Sequence, residues 1–294
     1  MTVSYRVCHK TVYNYSCPVT LSHHLARLKP RKTPCQNVIS ANISVMPEPT
    51  FEQTETDAFG NTASFFIVEA AHDEMIITSE FTAEISAPVY PDPSRTLSCA
   101  ETAARLLSPD TPELLEASEM TNPSRFIPIT PEIREYAASS ILPDRPILEA
   151  AEEIMRRIYQ DFKYDPAATS IATPINETLA MKRGVCQDFA HVGIACLRSF
   201  GLAARYVSGY IRTHHHENNR ETIGGDASHA WFSVYVPDVG WADLDPTNNM
   251  YMQSEHLTIG WGRDFDDMSP VKGIMTGGGN HTVKVDVAVC PITD

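Results

Sequence analysis

Apolar residues recur at every second position through the first ninety residues. Val3, Tyr5 and Val7, then Tyr13 and Tyr15, alternate with their neighbours, and Met75, Ile77, Phe81, Ala83 and Ile85 do the same further on. A period of two puts one face of a strand in a core and the other outward. Asp57-Ala58-Phe59-Gly60-Asn61 precedes the apolar run from Phe65 to Val68, and its Asp, Gly and Asn predict a hairpin bend. Several short strands of this kind predict an N-terminal antiparallel β-sandwich over residues 1–90.

The pattern changes near residue 88. Ten of the 21 prolines fall between Pro88 and Pro146, which predicts a partly helical connector over residues 91–145, with Thr130 as N-cap before Pro131. Ile147, Leu148, Ala151, Ile154, Met155, Ile158 and Phe162 then form a helical stripe, with Asp144 as the expected cap. A second helix is expected from Cys186, with Phe189, Val192, Gly193, Cys196 and Phe200 inward and Gly201 as its stop. Strands follow at 204–211, 229–236 and 241–245, and Val283, Val285, Val287 and Val289 make a last alternating strand. Residues 146–294 therefore read as an α+β domain on an antiparallel sheet, last strand included.

Composition narrows the partners. The chain has 294 residues, a net charge of −14 and 43% hydrophobic residues. A diffuse acidic excess excludes a phosphate-backbone partner and an anionic membrane surface. No stretch approaches the roughly 18 apolar residues of a spanning helix. Met1 to Tyr15 lacks the apolar centre of an export signal, so a cytoplasmic location with reduced thiols is expected. The seven cysteines are irregularly spaced, with no CxxC and no zinc pattern, and neither a metal nor a cofactor is expected. His214-His215-His216 lies in a polar segment and reads as part of a loop over a cleft. Gly277-Gly278-Gly279 reads as a turn, since no Lys follows in phosphate-loop register.

One cysteine stands apart. Cys186 follows Gly184 and opens a helix, where unpaired N–H groups and the helix dipole favour a thiolate. Cys196, on the inner stripe of the same helix, reads as an inert core thiol. Asp188, in the first turn, reads as a structural cap. A nucleophile needs a base, and His229 stands at the mouth of a strand. An orienting acid could come from Asp243 or Asp245 on the next strand, and alternation does not choose between them. The two strands flank Pro237-Asp238-Val239-Gly240. Direct pairing of Val236 with Trp241 would put His229 and Asp245 on opposite faces, whereas an odd-length connection or a bulge would bring them together.

Four segments in order carry a resemblance: Gly184 to His191 (GVCQDFAH), Ala204 to Tyr210 (ARYVSGY), Ala227 to Trp231 (ASHAW) and Gly240 to Asn248 (GWADLDPTN). Together they resemble the bacterial transglutaminase-like superfamily, often described as cysteine proteases. The first ninety residues resemble its bacterial N-terminal domain, including the turn at Asp57 to Asn61. The resemblance implies a papain-like core with a Cys186, His229, Asp245 triad, and it selects Asp245 over Asp243. It implies attack on an amide of a peptide or protein substrate through a thioester. Hydrolysis by a protease or amidase is the favoured outcome, acyl transfer from glutamine to an amine is the alternative, and a non-catalytic scaffold is the contrasting class. Tyr164 and Gln187 are candidate oxyanion donors, and Trp231 is a candidate for the substrate groove. The calcium sites of animal transglutaminases have no recognisable counterpart.

Overall fold

The computed structural model describes residues 2–212 and 228–292. The histidine run at 214–216, and with it the expected loop over the cleft, lies outside these residues.

Strand β1 (Thr2–Ala26) organises the N-terminal part, with β2 (Gln36–Met46), β3 (Phe51–Thr56), β4 (Thr62–Val68) and β5 (His72–Ser86) around it in the order β2-β5-β1-β4-β3. The alternation seen in the sequence is real: Tyr5, Val7, His9 and Thr11 are buried on one face of β1. The register of β1 shifts between Asn14 and Val19, so its two halves take different neighbours, β5 for the first and β4 for the second. The sheet curls accordingly, around a core of Tyr15, Val19, Phe66, Val68, Met75 and Ile77.

The proline-rich connector is ordered by repeated caps. Helix α1 (Cys99–Leu107) opens with a Ser98–Glu101 capping box, and α2 (Pro112–Glu119) and α3 (Pro131–Ala137) each start with a threonine cap followed by proline. Helix α4 (Ile147–Asp161) corrects one expectation. Asp144 does not cap it; Pro146 occupies the cap position with no side-chain bond. The first free amides are met from elsewhere, Ile147 N–H by Leu97 O at 2.8 Å and Leu148 N–H by Thr96 Oγ1 at 3.3 Å. A tertiary partner replaces the local cap.

The chain continues through β6 (Lys163–Tyr164), α5 (Ile175–Met181) and β7 (Arg183–Gly184) into α6 (Cys186–Arg198). Of the residues of α6, Gln187 alone is not buried. Gly193 is needed there, because a Cβ would stand 2.7 Å from the Phe232 ring. Against this helix lies a sheet of β8 (Ala204–Ile211), β9 (His229–Val236), β10 (Gly240–Asp245), β11 (Met250–Tyr251) and β12 (His256–Gly262), ordered β11-β10-β9-β8-β12. Ala204, Tyr206, Ala230, Phe232, Val234, Ala242 and Leu244 share one core with the helices.

After α7 (Phe265–Met268) the chain returns. Strands β13 (Val271–Gly277) and β14 (His281–Pro291) both pair with β1. The last strand, expected in the catalytic domain, therefore belongs to the N-terminal sheet. Its alternation identified a strand but carried no information about which sheet edge would receive it.

Two side-chain amides join the halves. Gln36 donates to Thr258 O at 2.6 Å and accepts from Thr258 N–H at 2.8 Å. Asn61 donates to Trp261 O at 2.7 Å and accepts from Trp261 N–H at 3.0 Å. Each amide thus acts as a short substitute strand on the outer edge of β12, where Arg31 N–H also donates to Ile259 O at 3.2 Å. The Asp57–Asn61 turn presents Asn61 to that edge: Asp57 Oδ1 accepts from Phe59 N–H and Asn61 N–H at 3.0 and 2.9 Å.

Candidate active site

The site starts from how α6 is aimed. Lys163 and Tyr164 pair in parallel with Arg183 and Gly184, which fixes the approach to Cys186. Asp188 caps the helix start, accepting from Val185 N–H at 2.9 Å and from Thr169 Oγ1 at 2.7 Å. Burial raises its pKa, and those hydrogen bonds work against the rise. A Cβ at position 184 would come within 2.5 Å of Asp188 Oδ2, so Gly184 permits this cap. Cys186 then occupies the first helical position, 8% exposed. Cys196 sits fully buried further along the helix, its thiol pushed up to about 12 by burial.

The facing strands meet the parity condition. Gly240 pairs with Val236 and Asp243 with Ser233, so the connection has three residues, Pro237 to Val239, and odd positions face odd positions. His229, Asp243 and Asp245 consequently share a face. Their side-chain partners separate the two acids. Asp243 Oδ1 accepts from Trp231 Nε1 at 3.2 Å and from the Ser233 hydroxyl. Asp245 Oδ2 lies 2.8 Å from His229 Nε2.

Asp245 is held from several sides. Its Oδ1 accepts from Thr247 N–H at 2.9 Å and Asn248 N–H at 3.2 Å, and its Oδ2 accepts from Asn248 Nδ2 at 2.7 Å. The turn after Pro246 supplies these donors. A residue the sequence did not single out completes the set: His256 Nε2 stands 3.2 Å from the same Oδ2. His256 is fully buried, and its Nδ1 accepts from Gln253 N–H at 3.1 Å. An Nδ1 that accepts carries no proton, so the proton is on Nε2 and points at Asp245. No motif marked His256, because it reaches the site from β12, the far edge strand.

His229, Asp245 and His256 place three potential ligand atoms within 4.8 Å of one another. The tautomer of His256 decides their chemistry. With Nδ1 accepting from the backbone, Nε2 could bind a metal only as an imidazolate, so the cluster is built for hydrogen bonding.

The electrostatics follow from the contacts. Burial alone would lower the pKa of His229, but Asp245 and then Cys186 outweigh it and raise it well above the usual histidine range. Burial would raise that of Asp245, and His229 and His256 instead hold it far below the usual carboxylate range. Asp245 occupies Nε2 of His229, the buried Nδ1 makes no hydrogen bond among the described residues, and Cys186 is near enough to add to the rise in pKa. The arrangement can hold a thiolate beside an imidazolium and can shuttle a proton between sulfur and a leaving group.

The remaining candidates divide. Tyr164 lies beside Gly184 across the parallel pair, and its hydroxyl is pushed up to about 12 by burial, with a further contribution from Cys186. Gln187 is partly exposed next to the thiol. Trp231 is a correction. It is fully buried, its N–H is tied to Asp243, and its ring meets His256 edge-on with centroids 5.3 Å apart. It lies beneath the site, where a substrate does not reach. The side-chain alternation that puts His229 on this face puts Trp231 there too, two residues further along the strand.

Comparison with known proteins agrees with this architecture. Residues 5–84 match the bacterial transglutaminase-like N-terminal region, and residues 134–246 match the transglutaminase-like superfamily. An uncharacterized protein of Mycobacterium tuberculosis is 39% identical over 295 residues, covering 99% of this chain and 93% of that one. An uncharacterized protein of Mycobacterium leprae is 31% identical over 287 residues, covering 97% of each. Among solved structures, a putative cysteine protease from Cytophaga hutchinsonii is similar over 100% of this chain and 92% of that one, with a TM-score of 0.75 and 17% identity, which speaks to the fold. The chain thus belongs to the transglutaminase-like superfamily and carries its bacterial N-terminal region.

Proposed function

We infer that the protein is a cysteine-dependent amidase or peptidase. The observation that carries this reading is the buried His229–Asp245 pair at 2.8 Å, with Cys186, at a helix start, near enough to help raise the pKa of the imidazole. The Cys186 thiolate attacks an amide carbonyl, and the C–N bond breaks as His229 gives its proton to the leaving amine. Water, with His229 as base, then releases the carboxylic acid from the thioester and restores the thiol. We assign the developing oxyanion to the amide N–H groups at the start of α6, with the Tyr164 hydroxyl as second donor. Asp245 keeps the imidazole oriented and charged. His256, an uncharged donor, steadies Asp245 without cancelling the negative charge that His229 needs.

Hydrolysis requires one substrate site, whereas transfer to an amine requires a second that excludes water. We favour hydrolysis on that ground, with a peptide or protein as substrate. A peptide library incubated with the wild-type and Cys186→Ala proteins tests it. Release of new amino termini by the wild type alone supports the reading. Incorporation of an added amine into glutamine peptides, with no net cleavage, identifies a transferase. Neither activity in either protein leaves the scaffold class.

A further inference from the structure

A cavity that Cys186 does not line lies on the same sheet. It has a volume of about 1040 Å³ and opens between the N-terminal loop at Pro34, the connector at Tyr90, helices α1 and α2, and strands β8, β9, β10 and β12. Its floor holds Arg205, the second residue of β8. The guanidinium carbon stands 4.2 Å from the Trp241 ring centroid and 3.7 Å from that of Trp261. Arg31 also lies over the Trp261 ring, at 3.4 Å. Arg205 is 5% exposed, and its Nε has no hydrogen-bond partner among the described residues. The two indoles hold the guanidinium at the cavity floor, where Arg205 is part of the lining.

A buried guanidinium nitrogen without an acceptor is an incomplete site, and its planar fork matches a carboxylate. The rest of the lining limits the ligand. Asp243 borders the same floor, with Oδ1 taken by Trp231 and Ser233, and Arg31 shares the Trp261 ring with Arg205, so two guanidinium groups stand near one carboxylate. A single carboxylate suits it better than a phosphate dianion. The walls are apolar at Tyr90, Leu114 and Met252, and the rim is acidic at Asp110, Glu113 and Glu116. Negative charge at the rim favours a cationic group at the ligand's outer end.

We propose that this cavity binds a short peptide, with its carboxyl terminus on Arg205, apolar side chains on the aromatic walls, and its amino terminus at the acidic rim. The proposal stands independently of the role of Cys186. Titration calorimetry on the Cys186→Ala protein tests it with four probes: leucyl-leucine, its carboxamide, its N-acetyl derivative and phenyl phosphate. Leucyl-leucine should bind, and the carboxamide should bind about tenfold more weakly, the loss of one charge-assisted contact. The N-acetyl derivative and the Glu116→Gln variant should each weaken binding several-fold, and Arg205→Met should abolish it. Equal binding of acid and carboxamide, tighter binding of phenyl phosphate, or no binding of leucyl-leucine overturns the proposal. Binding that neither Glu116→Gln nor Arg205→Met alters lies in the catalytic crevice and overturns it as well. Glu116 is exposed, so its substitution keeps the test open should Arg205→Met fail to fold.

Discussion

The Nε2–H of His256 points at Asp245 Oδ2 across 3.2 Å, on the same oxygen that His229 holds at 2.8 Å. One carboxylate oxygen thus serves a charged imidazole and a neutral one, and the backbone amide of Gln253 decides which is neutral.

Removing that donor should lower activity without unfolding the protein. A hydrogen bond to a buried charge contributes about 1.5–3 kcal/mol, so His256→Phe should cost about 10- to 100-fold in kcat/KM. His256→Gln, which can still present an N–H, should recover part of the loss. Steady-state kinetics on a cleaved peptide, alongside circular dichroism, checks both variants.

The pH dependence has a definite sign. The pKa of His229 is raised in the folded state, so its stabilising contribution is complete below its unfolded value near 6.5 and is lost as pH rises through the raised value. That of Asp245 is depressed, so its contribution is present above about 3.9 and is lost as pH falls toward the depressed value. Asp245→Asn removes the main support of the imidazolium. The alkaline limb of kcat/KM should therefore move to lower pH in this variant, as a pH–rate profile will show.

The two amides that cap β12 should hold the halves together. Asn61→Ala leaves the backbone N–H and C=O of Trp261 without their partner and should cost about 1–3 kcal/mol. Gln36→Ala should do the same at Thr258. Thermal unfolding of the two single variants and the double variant measures each cost and any coupling through the shared edge.

Gly184 and Gly193 are needed for close approach. Gly193→Ala drives a Cβ into the Phe232 ring between helix and sheet and should destabilise by about 1–3 kcal/mol, read by denaturant unfolding. Gly184→Ala displaces the Asp188 cap instead, so it should slow alkylation of Cys186 more than it lowers stability.

Much of this was legible in the sequence because the signals are local. Strand alternation, the helix opening at Cys186 and the order of the four motifs each depend on a few consecutive residues. The choice between Asp243 and Asp245 depended on side-chain partners that alternation does not carry, and family resemblance supplied it. Three features depended on long-range pairing and left no local trace. Strand β14 returns to β1. The first amides of α4 are met by Leu97 and Thr96, so the helix needs no side-chain cap of its own. His256 arrives at Asp245 from the far strand.

The most direct measurement is the rate at which iodoacetamide alkylates Cys186, followed by peptide mass mapping so that the other six cysteines serve as internal references. If sulfur and imidazole form a working pair, Cys186 reacts near neutral pH far faster than an unperturbed thiol, and His229→Ala removes the excess while leaving the remaining cysteines unchanged. Alkylation of Cys186 at the rate of free cysteine, or a fast rate that survives His229→Ala, contradicts a catalytic pair at this site.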